Sequence, residues 1–144
     1  MSNDPSWPYW ILEDGVPVKT DIRTWAEWFE KSDRTIVRTQ LDGAYVSTVF
    51  TGMGFQTSGP PLLYETMSFA DPDADYVLGN CGPWPSSTEE EARRVHQTAC
   101  EELAREMKSY HDHMREAEKR NEQRSQRLQE RGRILKWRKK PSTK

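Results

Sequence analysis

The hydrophobic and polar positions fall into four kinds of stretch. Short apolar runs come first: Tyr9-Trp10-Ile11-Leu12 and Val16-Pro17-Val18-Lys19 flank Glu13-Asp14-Gly15. Asp-Gly between such runs predicts a β-hairpin. Pro17 has no amide hydrogen for a ladder, so its strand is expected at an edge or very short. A period of 3.6 follows. Ile22, Trp25, Ala26 and Phe29 recur at i, i+3, i+4 and i+7, which predicts a helix from Ile22 to about Lys31, capped by Asp21. Trp28 falls at the margin of that face.

Three stretches then read as strands: 35–41, 44–50 and 62–69. They are rich in β-branched and aromatic residues and bounded by turn residues. Asp42-Gly43 joins the first two as a tight hairpin. The connection from Thr51 to Pro61 is Gly- and Pro-rich and long for a small meander, a candidate ligand loop. Alternation in the third strand places Leu63, Glu65, Met67 and Phe69 on one face. Glu65 is expected either to reach water or pair with Arg38, or else to be a ligand-recognising carboxylate in a pocket. With Phe55 and Arg38 it makes a weak ligand-binding set. Tyr76-Val77-Leu78 is a further short strand candidate, and Pro83-Trp84-Pro85 closes the globular stretch.

The last stretch is the longest. Ser87 with Glu90 has capping-box spacing, and Glu89, Glu90 and Glu91 suit the first turn of a helix. Val95, Ala99, Leu103, Met107, Tyr110, Met114 and Ala117 form an apolar stripe at spacings of four and three. Beyond Ala117 the stripe continues through Asn121, Arg124, Leu128, Arg131 and Leu135, too polar for a strong coiled coil. The fold class expected is α+β: a small antiparallel sheet of about five strands, one short helix, and a long C-terminal helix extending from the body.

Charge divides the chain at nearly the same place. Residues 115–144 hold 12 Lys/Arg and 4 Asp/Glu, a net +8, whereas residues 1–114 hold 9 and 19, a net -10; together they give the chain's -2. Aromatics are concentrated before Thr88, so residues 115–144 have little to bury and cannot build a core. Two parts are therefore expected: an α+β domain over 1–114 and a basic, arginine-rich helical extension or tail over 115–144. A basic tail on an acidic body either binds an anionic partner or folds back on an acidic body, its own or a twin's. A solvated, fraying tail is the third reading.

Arginine placement bears on that choice. Arg120, Arg124, Arg127, Arg131 and Arg138 fall on one helical face. Like charges at i, i+4 destabilise an isolated helix by about 0.2–0.5 kcal/mol per pair, and an anion along the face reverses the sign. Guanidinium forks bind phosphate bidentately, so a nucleic-acid backbone fits. Lys136, Trp137, Arg138, Lys139 and Lys140 extend the set, with Trp137 able to stack on a base or enter a protein groove.

Other chemistry is thin. His96 and Cys100 have i, i+4 spacing, but no CxxC or HExxH accompanies them, and Cys100 beside Leu103 is read as core. Asp71, Asp73 and Asp75 alternate without the Gly and distal Glu of a calcium loop. No phosphate loop, nucleophile elbow, catalytic set, metal site or cofactor motif is readable, so an enzyme is the last expectation. Cys81 and Cys100 give no disulfide framework. No apolar run is long enough for a membrane span, and the N-terminus lacks a signal pattern.

Four segments carry a resemblance. They are Thr24-Trp25-Ala26-Glu27-Trp28-Phe29-Glu30; Val46-Ser47-Thr48-Val49-Phe50 followed by Gly52; Gly59-Pro60-Pro61-Leu62-Leu63-Tyr64-Glu65-Thr66-Met67-Ser68-Phe69; and Ser87-Thr88-Glu89-Glu90-Glu91-Ala92 leading to His96. Over about residues 9–110 the chain resembles a group of short, mostly uncharacterised accessory proteins of tailed bacteriophages and prophages. Gly54-Phe55 stands where that pattern has Asp-His, and the arginine-rich extension lies outside it. The resemblance implies a phage-encoded protein at work in the bacterial host cytoplasm, or packaged in a virion.

The expected function is therefore binding: a sheet domain engaging a host protein or itself, and a basic helix contacting nucleic acid or a host nucleoprotein. A nucleotide-binding protein using the loop and Glu65 is the first alternative. The second is a virion or assembly component that forms a homo-oligomer through the long helix.

Overall fold

A computed structural model describes residues 8–55 and 58–139. The chain divides into two compact units, Met1–Ala104 and Arg105–Lys144. The division comes earlier than the charge boundary near Arg115. The last buried side chain of the long helix is Met107, and Met114, though still on the apolar stripe, is exposed.

The first unit opens with β1 (Tyr9–Glu13) and β2 (Val16–Thr20). Asp14 and Gly15 both have positive φ, 51° and 78°, the backbone of the two-residue hairpin turn that Asp-Gly favours. This hairpin is a two-stranded sheet of its own and not part of one larger sheet, a departure from the single sheet expected. The helix α1 (Ile22–Lys31) has the expected bounds, and Asp21 caps it: the Thr24 amide donates to Asp21 Oδ1 at 2.8 Å. Its inward face is rotated from the expected one. Ile22 is exposed, whereas Trp28 packs edge-on against Phe50 at 5.6 Å. In a ten-residue helix with a narrow covered face, a large indole there removes more apolar area from water than an isoleucine would.

The second sheet has the order β3-β4-β5-β6 and is wholly antiparallel, from β3 (Thr35–Leu41), β4 (Ala44–Phe50), β5 (Tyr64–Ala70) and β6 (Trp84–Ser86). The Tyr76-Val77-Leu78 segment forms no strand, and β6 comes instead from the Pro-Trp-Pro run. Pro85 is tolerated there because β6 is an edge, so the missing amide hydrogen falls on the unpaired side.

Burial alternates along β4 and β5. Ala44, Val46, Thr48 and Phe50 point inward with Tyr64, Thr66 and Ser68. Phe50, Leu63, Tyr64 and Ala92 form a buried core cluster, joined by Trp10, Leu12, Trp28 and Ile36. The helix α2 (Glu89–Arg138) begins one residue later than the capping box predicted. Thr88 Oγ1 accepts from the Glu91 amide at 3.1 Å, and the Glu91 carboxylate accepts from the amide and hydroxyl of Ser87, each at 3.0 Å. These bonds hold the Glu91 carboxyl below the usual carboxylate range.

Candidate nucleic-acid interface

The second unit is the continuation of α2 from Arg105, helical through Arg138. Few of its side chains have anything to bury, so helix formation here rests on local terms: residues with straight side chains, and acid–base spacing. At 100° per residue, Arg120, Arg124, Arg127, Arg131 and Arg138 share an arc of about 60°. With a rise of 1.5 Å per residue, the first four guanidinium groups are strung over about 16 Å of helix. All five arginines are exposed. Among the described residues, none of Arg120, Arg124, Arg127 and Arg131 has an ion pair or hydrogen bond with another side chain. The row is thus a line of exposed cations without a direct ion-pair partner among the described residues.

Lys136, Trp137, Arg138 and Lys139 complete the exposed set, with Trp137 76% exposed; Lys140 lies outside the described residues. Ile134 and Leu135, about half exposed, lie beside them. In residues 119–139, nine Lys/Arg stand against Glu122 and Glu130, a net +7. Such a field concentrates polyanions at the helix surface.

The weak ligand set is not gathered in one place. Glu65, Met67 and Phe69 face away from the core, and Leu63, expected on their face, is buried before the strand begins. Glu65 stands opposite Val49 and Pro85, whereas Arg38 is on β3 opposite Ser47. Among the described residues no ion pair joins Glu65 and Arg38; the guanidinium lies over the Tyr45 ring at 4.0 Å, and Tyr45 stacks on Phe69 at 5.0 Å. Phe55 is elsewhere, edge-on to Tyr9 at 5.5 Å. A cation over an aromatic ring is a stable resting place for Arg38, and it separates that residue from the carboxylate.

The start of the candidate loop is structural. The Trp10 amide donates to Gly52 O at 2.8 Å, the Gly54 amide to Pro8 O at 2.8 Å and the Thr51 amide to Leu63 O at 2.7 Å. A side chain at Gly52 would strike the Trp10 carbonyl, and one at Gly54 would lie 2.6 Å from Pro61 Cβ. Any side chain at 54 would force Pro61 or Trp10 to shift. Residues 56 and 57 of the loop lie outside the described residues.

A buried polar seam escapes a reading of the sequence alone. His96 on α2 is 5% exposed, and both its ring nitrogens are engaged: Nε2 with Thr39 Oγ1 at 2.8 Å and Nδ1 with Thr48 Oγ1 at 2.9 Å. Thr48 Oγ1 in turn meets Thr66 Oγ1 at 2.7 Å. Burial, and then the Arg93 charge, hold the imidazole below its ordinary pKa, so the neutral ring is favoured. Burial raises the pKa of the Cys100 thiol, which favours its protonated form. The signal that could have found the seam is Thr39, Thr48 and Thr66, which alternation puts on the covered face beneath a helix carrying one His on its apolar side. Among the described residues, no three His, Cys, Asp or Glu side chains converge to hold a metal. No described helix is long and apolar enough to cross a membrane.

No protein-family model matches the chain, and no curated protein or solved structure matches it.

Proposed function

We propose that this is a phage-type accessory protein that acts by binding and not by catalysis. Its basic helix contacts nucleic acid, alone or within a host nucleoprotein, and its sheet domain engages a host protein. The observation that carries this reading is the arginine row: Arg120, Arg124, Arg127 and Arg131 are exposed on one helical face and lack intramolecular partners among the described residues. Repulsion along such a face costs helix stability, which phosphate groups laid against it restore. The phage context rests on the four-segment resemblance and implies the host cytoplasm or the virion as the place of action.

Substituting all four arginines with glutamate (R120E, R124E, R127E, R131E) should abolish retention of nucleic acid in a gel shift at low salt. Unchanged retention, or none by the parent protein, would sink the reading.

A second reading has an observation of its own. Met114, Leu128 and Leu135 are exposed apolar side chains on the continued stripe, 43%, 58% and 54% accessible, as a helix seam awaiting a second copy would be. Mass measurement across a concentration series separates the two, since a strict monomer at high concentration excludes an assembly role for the helix.

A further inference from the structure

We propose that the nucleic acid taken by α2 is single-stranded, held along the arginine row and stacked through a base on Trp137. This rests on the nucleic-acid reading above and adds the strandedness of the ligand.

Between Arg120 and Arg131, cations are missing where a duplex would need them. A helix seated in a duplex major groove meets phosphates along both flanks while its leading face meets base edges. Between Arg120 and Arg131 one flank of α2 carries Gln123, Gln126 and Glu130, and the other Asn121, Ser125 and Leu128. Neither flank has a cation, and one has a carboxylate that would face phosphate. Between Arg120 and Arg131 the positive charge lies on one strip about 16 Å long; Lys119 just before it and Arg133, Lys136 and Lys139 beyond it lie off that strip. A duplex strand winds away from such a strip after a few phosphates. A flexible single strand follows it, setting successive phosphates against guanidinium groups.

Trp137 favours the same ligand independently. Its indole is 76% exposed and stands between Lys136 and Arg138 in sequence, about a quarter-turn from the row. Bases inside a duplex are stacked on each other and offer no face to it. Unpaired bases do, and stacking on an exposed aromatic beside cations is the general means of gripping single strands. Ile134 lies on the row itself, between Arg131 and Arg138, so the basic strip becomes part apolar where bases would meet it.

The test is fluorescence anisotropy of the full-length protein against a labelled mixed-sequence oligonucleotide of about 16 nucleotides, matched to the upper site size of single-strand binders. The oligonucleotide is offered as DNA and as RNA, and against the duplex of the same sequence at the same salt. Inorganic polyphosphate serves as a baseless polyanion competitor. The single strand should bind about tenfold more tightly than the duplex. Trp137→Ala should remove most of that difference and leave duplex affinity unchanged, with helicity by circular dichroism equal to the parent's. Polyphosphate should compete poorly against the single strand. Duplex binding equal to or tighter than single-strand binding overturns the inference and leaves the nucleic-acid reading in place. Equal losses on both ligands in the Trp137 variant overturn the stacking role. No binding of either strand form overturns the underlying reading as well.

Discussion

His96 is the residue on which the inner face of the four-stranded sheet depends. Its two ring nitrogens and the hydroxyls of Thr39, Thr48 and Thr66 satisfy each other, with His96, Thr48 and Thr66 buried and Thr39 half-buried at the margin. Thr48→Val keeps the shape and deletes the hydroxyl in the middle of the chain, leaving His96 Nδ1 and Thr66 Oγ1 without that partner. The expected cost is about 1–3 kcal/mol, read as a lower urea midpoint. The imidazole also makes stability depend on pH. Unfolded, it takes a proton as pH falls through about 6.5; folded, its pKa is lower. The unfolded chain therefore binds more protons in that window. Stability is full above the unfolded value and is lost as pH falls through the folded one. The midpoint should be lower about one pH unit below the unfolded value than one unit above it, and His96→Gln should flatten the difference. Asp21 and Glu91, whose pKa values are also lowered, act in the same direction only below their unfolded values of 3.8 and 4.5, outside this comparison.

At the scale of elements, patterning carried most of the fold. Asp14-Gly15 and Asp42-Gly43 marked both hairpins, and the bounds of α1, β3 and β4 follow directly from periodicity and flanking turn residues. What was not legible depended on which faces meet. Ile22 and Trp28 compete for one small contact surface, and only the position of Phe50 decides between them. Leu63 shares the parity of Glu65 but precedes the strand, so alternation does not apply to it. The strand Trp84–Ser86 was hidden because Pro83 before it and Pro85 within it argue against any strand that is not at an edge. In α2, Gly132 interrupts an otherwise good helical sequence, and a Cβ there would meet nothing within 4 Å. Gly132→Ala should raise helicity by circular dichroism and stabilise the local helix by about 1 kcal/mol, through backbone entropy alone.

For the whole molecule, the near-neutral total is the sum of two large opposite numbers, -10 over residues 1–114 and +8 over residues 115–144. Binding through the arginine row should then be steeply salt-dependent even though the protein as a whole is slightly acidic. Four phosphate contacts on a single strand predict a slope of about -3 for log K against log salt, and reversing one arginine should lower its magnitude by about one. A titration series between low and physiological salt measures both. The candidate interface was legible in sequence because it needs no tertiary contact: helical spacing alone assembles it. The weak ligand set was not, since Glu65, Arg38 and Phe55 belong to three different neighbourhoods whose separation depends on strand register and on the Tyr45 ring.

The polar seam also acts as a key. Apolar side chains between a helix and a sheet resist separation but oppose sliding only weakly, because one methyl group serves nearly as well as the next. Hydroxyls and an imidazole are selective. A shift of α2 by one turn would bring Ala92 or Cys100 over Thr48, and neither offers the paired nitrogens that His96 does. The seam thereby favours one axial setting of the helix, so it supplies specificity of arrangement where the alanines beside it supply only closeness.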